Sequence, residues 1–237
     1  MYKVGRDTAH RALKEKGLVY KSVTQQQTLS EDQMNKRVTF CKLMLKRRAK
    51  PIDETFFSDE MGIKLSEAHP NKAWGEPYKK IKIEIPAKDI KLNCWGAISK
   101  KGATTLHIYR DNLDTGLYEK VVKKHIPEMQ EIYPNNFSFV HDNSSIHSAA
   151  EKELKKHGLS LVKFPSYSPD LNPIKNLWSA LKNNIAKDNP KTERQLVNSL
   201  KKNWQSLTQV EKLEPYFINL HDRYNQCINE KGHLIPY

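Results

Sequence analysis

Cysteine is almost absent: the 237 residues hold three, Cys41, Cys94 and Cys227, far apart and with no CxxC pair. That spacing excludes a disulfide framework and a thiolate zinc site, and it suits a reducing compartment. No apolar run approaches the roughly 18 residues of a membrane-spanning helix, and the N-terminus lacks the apolar core of a signal peptide. Glycine is scarce, with nine residues, and none builds a phosphate-cradling loop, which argues against a small-molecule phosphohydrolase. The nine histidines form no credible ligand cluster, since His141 and His147 flank Asp142 without thiolate partners. Internal repeats and low-complexity segments are also missing.

Positive charge is what the chain has in excess. Net charge is +13 and the pI about 9.5, which favours a polyanionic partner; with no membrane span in sight, nucleic acid is the better candidate. The charge is uneven. Residues 1–50 hold 13 Lys/Arg against 4 Asp/Glu, and such a segment beside an α/β domain points to DNA contact more than to a merely solvated face.

The length fits one large domain, or one domain with a small appendage. Residues 6–17 read as a short helix with Asp7 as cap and Gly17 as stop, carrying Arg6, His10, Arg11 and Lys14 on one edge. Residues 20–29 read as a linker. A basic helix follows from Leu29 to about Ala49, with Val38, Cys41, Met44 and Leu45 as its apolar face. Its end, Lys46-Arg47-Arg48, is either a solvated helix end or a cluster for nuclear import or phosphate contact.

Beyond Pro51, Thr55–Ser58 reads as a strand leading to Asp59-Glu60, and Met61–Leu65 as its hairpin partner or extension. Trp74 is the expected packing anchor of a loop, and residues 81–85 alternate as a half-buried strand does. Strands at Ile90–Ile98 and Thr104–Tyr109 flank a turn, and a helix spans 114–132. Near the C-terminus, helices are expected at Pro173–Ala186 and Thr192–Trp204, and a partly proline-broken one from Val210 to about Asn229.

Between them, Phe137 to Trp178 carries the chemistry. Phe137–Val140 is a short apolar run ending in His141-Asp142-Asn143, the pattern of a buried strand that delivers a carboxylate to the end of a sheet. A helix over 144–157, a strand over Leu159–Phe164, a turn-rich Ser-Tyr-Ser-Pro-Asp-Leu-Asn-Pro loop and a helix from Pro173 complete an α/β site layout. Taken singly, Asp59 reads as a turn residue and Asp142-Asn143 as a helix cap. Adjacent strands, however, would bring both acids to one end of the sheet.

The segments HDNSSIH…SPDLNPIKNLW, FFSDEMG (56–62), CWGAISKKG (94–102) and INEKGHLIPY (228–237) resemble, in order, the mariner-type DNA transposases of the DDE superfamily. The resemblance implies an RNase H-like mixed sheet flanked by helices over 51–237. It implies a remnant of a helix-turn-helix DNA-binding region over 1–20, and a linker with the basic helix over 21–50. It also implies Mg²⁺ or Mn²⁺ as cofactor, DNA as partner, the nucleus as location, and it allows a homodimer. Asp59 and Asp142 match the first two family acids as metal ligands, with Asn143 and His147 as supporting or DNA-proximal groups. Arg6, His10, Arg11, Lys14, Lys46, Arg47 and Arg48 are the expected DNA contacts. The family's third acid follows Asn-Pro-Ile, and here Lys175 stands in that position. An ammonium repels divalent ions and offers no oxygen ligand. The expected function is therefore an impaired polynucleotidyl transferase or, alternatively, a catalytically silent DNA-binding protein. Asp170 is read as a cap for the following helix.

Overall fold

The computed structural model describes residues 6–18, 28–46, 52–70 and 89–236. Arg47, Arg48, Trp74 and residues 81–85 fall outside these. In chain order the elements are α1 (Arg6–Glu15), α2 (Glu31–Lys46), β1 (Thr55–Lys64), β2 (Lys91–Ser99), β3 (Gly102–Ala103), β4 (His107–Tyr109) and α3 (Thr115–Ile132). Then come β5 (Ser138–His141), α4 (Ser145–Lys156), β6 (Ser160–Lys163), α5 (Ile174–Asp188), α6 (Glu193–Leu207), α7 (Val210–Ile218) and α8 (Leu220–Asn229). No helix among the described residues is long and apolar enough to cross a membrane.

The six strands form one mixed sheet in the order β3-β2-β1-β5-β6, with β4 also paired to β2. The β1–β2 pair is antiparallel, whereas β1–β5 and β5–β6 are parallel. The expected adjacency of the two acid-bearing strands is therefore observed. Strand alternation sends successive β1 side chains to opposite faces. Phe56 joins a core with Trp95, Tyr118, Val122, Ala150 and Leu154. Phe57, Met61 and Ile63 join a second core under α2, α5, α6, α7 and α8. Helices cover both faces.

Two local expectations are corrected and one open alternative is decided. Of the two readings of Met61–Leu65, the extension is the one observed: Met61–Lys64 continues β1 to ten residues, so Asp59 lies mid-strand; β5 pairs only as far as Phe57↔Val140, which leaves Asp59 just beyond the end of its parallel neighbour. The stretch 104–109 is not one strand. Thr104 Oγ1 accepts from Ala97 N at 3.0 Å, so a side chain replaces the ladder there and separates β3 from β4. The C-terminal helix breaks at Asn219, not at Pro215, which α7 accommodates; the break lets α8 present Leu220, Tyr224 and Cys227 to the core.

The C-terminal tail closes over α2. Gly232 has φ +88°, and a Cβ there would sit 2.3 Å from the Met34 carbonyl oxygen. Only glycine meets both demands. α1 ends on Gly17 at φ +74°; its Leu13 is exposed, and His10, Arg11 and Lys14 are exposed as well.

Candidate active site

Asp59 projects from β1 toward α5 and is almost wholly buried, its side chain 3% exposed. Lys175 Nζ lies 2.8 Å from Asp59 Oδ1 and 2.7 Å from Oδ2, and Trp178 Nε1 donates to Oδ2 at 2.9 Å. The spacing of Lys175 and Trp178 along the first turn of α5 makes this possible, because residues three apart share a helix face. Trp178 stacks on Trp204, with ring centroids 5.0 Å apart. That stack lies over Gly96, the cross-strand partner of Asp59, where a Cβ would come within 2.6 Å of Trp204. A glycine inside a strand pattern was the available signal of this close approach. Burial pushes the Asp59 carboxyl up to about 6, with the Lys175 ammonium pulling the other way.

Asp142 follows β5 directly, and its side chain is half exposed. Its Oδ1 accepts from Ser144 N at 3.1 Å and lies 2.6 Å from His147 Nδ1. Ser144 caps α4 by accepting from His147 N at 3.3 Å, and this turn sets the imidazole against the carboxylate. Partial burial works against the Asp142 charge, but the His147 hydrogen bond and charge bring its carboxyl down to about 2. His147 is itself buried, which disfavours its charge, yet Asp142 and Glu60 raise it to about 10. Its ring packs against both Tyr118 and His141, at centroid distances of 4.1 and 5.2 Å. Asn143 donates weakly to Ser166 Oγ at 3.4 Å and so touches the loop that leads to α5.

Strand alternation turns Glu60 to the opposite face of β1 from Asp59. The structure keeps that geometry and gives it a consequence: Oε1 is buried 3.3 Å from His147 Nε2, an ionic contact without hydrogen-bond alignment. His147 thus lies between two carboxylates.

Asp170 neither caps α5 nor approaches the acids. It is fully buried and forms a two-pronged ion pair with Arg37 of α2, Nη1 to Oδ1 at 2.8 Å and Nη2 to Oδ2 at 2.5 Å. Arg37 also donates to the carbonyls of Gly232 at 2.8 Å and His233 at 3.2 Å, and Asp170 accepts from Ile235 N at 3.1 Å. Pro173 is the N-cap and offers no side-chain cap; ahead of it, Asn172 Oδ1 accepts from Ile174 N at 3.3 Å, and its amide reaches the Ser58 carbonyl at 3.4 Å, tying the loop to β1 beside Asp59.

Two cavities open on this cluster. One of about 370 Å³ is lined by Asp142, Asn143, Ser166, Tyr167 and Lys175 among others. The second, of about 290 Å³, is reached from Glu60, Tyr109, Asp142 and His147.

A family model described as DDE superfamily endonuclease matches residues 54–197. The chain belongs to that family. It is 24% identical over 217 residues to the Tc3 transposase of Caenorhabditis elegans, covering 88% of this chain and 65% of that protein. To the Tc1 transposase of the same organism it is 23% identical over 241 residues, covering 97% and 87%. The chain thus spans slightly under two thirds of the Tc3 relative. Among solved structures, the Mos1 mariner paired-end complex with Mn superposes at a TM-score of 0.83 with 19% identity, covering 98% of this chain and 72% of that one. The Mos1 catalytic domain superposes at 0.71 with 18% identity, covering 90% and 100%. The fold is the RNase H-like one that the resemblance implied.

The family implies divalent metal, and the donor set here does not fit a pair of such ions. Both Asp59 oxygens face an ammonium or an indole N–H, Asp142 Oδ1 faces an imidazole, and Lys175 has no oxygen to give. Among the described residues no group of three or more His, Cys, Asp or Glu could hold a metal ion.

Proposed function

We propose that this chain is a DNA transposase-type polynucleotidyl transferase whose metal-dependent strand cleavage and strand transfer are impaired at Lys175. In this chemistry water or a 3′-hydroxyl attacks a phosphodiester phosphorus and a 3′-oxygen leaves. Divalent ions held by carboxylates supply the activated nucleophile and the stabilised leaving oxygen when they are bound. The observation that carries the reading is Lys175 Nζ within 2.8 Å of both Asp59 oxygens. The third family position is not merely empty of an acid; it carries a cation that neutralises the first acid.

DNA as partner is supported by the net charge of +13 and by the solved Mos1 complex with a left transposon end. Arg11 and Lys14 on α1, and Lys46 at the end of α2, are exposed cations suited to phosphate contact, and His10 is exposed beside them. Arg6, Arg47 and Arg48 join them by sequence alone. The Lys46-Arg47-Arg48 cluster is the basis for placing the protein in the nucleus, and the paired-end arrangement of Mos1 for a homodimer. Asp59 and Asp142 remain the proposed metal-facing acids, with Asn143 and His147 beside them.

A second reading, a DNA-binding protein without catalysis, is favoured by His147. An imidazolium already sits between Asp142 and Glu60, so one of those two negative charges is balanced without a metal. Supercoiled plasmid with Mg²⁺ or Mn²⁺ separates the two. Wild type should nick weakly or not at all, and Lys175→Glu should gain nicking and Mn²⁺ affinity, because repulsion becomes attraction. Asp142→Asn added to that background should abolish the gain. Wild-type cutting as strong as that of Lys175→Glu would overturn the proposal. A folded, DNA-binding Lys175→Glu protein that neither binds Mn²⁺ nor cuts would establish the second reading.

A further inference from the structure

A third cavity, about 400 Å³, lies between β4, α3 and α6, away from the acids. Its floor is apolar, made by Leu92, Ile108 and Val197; Arg110, Lys124 and Lys201 stand at its margin. Arg110 is paired with Glu193, Nε to Oε1 at 3.0 Å. Lys124 and Lys201 are exposed and have no salt bridge among the described residues.

His107 also lines this cleft, and its orientation follows from a relay behind it. Glu128 Oε1 lies 2.9 Å from His125 Nδ1, and His125 Nε2 lies 3.3 Å from His107 Nδ1. A carboxylate only accepts, so His125 carries its proton on Nδ1 and accepts at Nε2. His107 then donates from Nδ1 and keeps Nε2 as an acceptor. Trp95 stacks on His125 at 5.2 Å and fixes the buried ring.

We propose that this cleft is a single-nucleotide pocket, holding one unpaired nucleotide of a nucleic-acid strand that continues from the carboxylate cluster. The phosphate lies between Lys124 and Lys201. The base rests on the Leu92–Ile108–Val197 floor, with His107 Nε2 accepting from a base N–H. An apolar floor beside cations suits a π-faced, anionic ligand. A divalent cation is the wrong occupant, because two unpaired ammonium groups face the same space and oppose it. A strand fits better than a free nucleotide because the cavities are neighbours with shared walls: Tyr109 lines both this cleft and the one beside Glu60, and Asp142 lines both that one and the one beside Lys175. The proposal rests on nucleic acid being the partner and goes beyond it by placing a second, strand-reading site off the acids.

The test uses the full chain and a short fluorescent single-stranded DNA of mixed sequence, followed by anisotropy at fixed salt. Lys124→Glu/Lys201→Glu should weaken binding roughly tenfold or more, whereas Lys152→Glu/Lys187→Glu, an equal charge change on exposed sites of α4 and α5, should weaken it far less. Val197→Trp, which fills the floor without changing charge, should also lose single-strand affinity while keeping duplex affinity. Because that variant could misfold, photocrosslinking of wild type with 5-iodouracil-substituted DNA provides an independent readout, with adducts expected within residues 104–110. Equal losses for the two charge-reversed pairs, or adducts confined to residues 142–178, would overturn the pocket. If wild type binds no DNA at all, the failure lies with the nucleic-acid reading itself.

Discussion

The Pro-Asp-Leu-Asn-Pro segment has a buried ion pair at each end, and the two differ in kind. At its start, Asp170 meets a guanidinium with no exposed side-chain surface, which also donates to the Tyr167 carbonyl and to the carbonyls of Gly232 and His233 in the C-terminal tail. Just past its end, Asp59 meets an ammonium whose side chain is 37% exposed. Planar arginine joins α2, the loop and the tail through several directed bonds at once; lysine supplies one mobile point charge. The first pair builds the loop that presents α5 to the sheet. The second occupies the place that the loop presents.

Breaking the first pair should have the largest effect. Arg37→Met leaves Asp170 buried without its partner and should cost about 3–5 kcal/mol, read from urea unfolding. The double variant Arg37→Met/Asp170→Leu should recover much of that loss, since replacing a buried pair by apolar groups is often neutral. If the single and double variants are equally unstable, the pair is not what holds tail, loop and α2 together.

The second pair should respond less, and with a pH signature. Asp59 holds its proton more tightly in the folded state, at about 6 against an ordinary 3.8. Its contribution to stability is thus full below about pH 3.8 and falls as pH rises through 6, by roughly 3 kcal/mol for a shift of this size. Lys175→Met removes the counter-charge, so the decline should move to higher pH, with a loss near neutrality of about 1–2 kcal/mol. Unfolding free energy followed from pH 4 to pH 8 checks both statements; an unmoved profile would mean that Lys175 does not set the Asp59 charge.

How much of this was legible in the sequence follows from what each side chain had as neighbours in the chain. Asp142 was readable because a short apolar run ends beside it, and the order of strand, helix and strand fixes where that end lies. The mid-strand place of Asp59 was readable only as one of two alternatives, a hairpin or an extension, and it is pairing with β2 through Lys64↔Lys91 that carries the strand on. Arg37 lies three, four and seven residues before Phe40, Cys41 and Met44, on the buried face of α2. The helical period places it inward even though it belongs to a strongly basic segment. Its partner Asp170 lies 133 residues away, and no local pattern reveals such a pairing. Strand alternation turns Glu60 away from Asp59, but nothing in the chain announces that His147 is brought between it and Asp142.

The smallest effect is expected where the carboxylate is half exposed. Asp142 and Asp59 are each met by a protein cation, yet burial dominates at Asp59, while at Asp142 the His147 contact overcomes it and brings the carboxyl to about 2. His147 itself is raised to about 10, so the stabilisation it gives is present below about pH 6.5 and lost as pH rises through 10. Solvent around Asp142 screens the pair, so His147→Gln should cost only about 1 kcal/mol at neutral pH, and that cost should vanish in alkali as the wild-type imidazolium discharges. Glutamine fills similar space and can still donate a hydrogen bond, which isolates the charge from the packing against Tyr118 and His141. NMR of side-chain carboxyl carbons should show Asp142 rising toward its ordinary value in His147→Gln, with Asp59 unmoved. A parallel rise at Asp59 would mean that the two carboxylates titrate as one cluster, and that Lys175 and His147 cannot be assigned to separate acids.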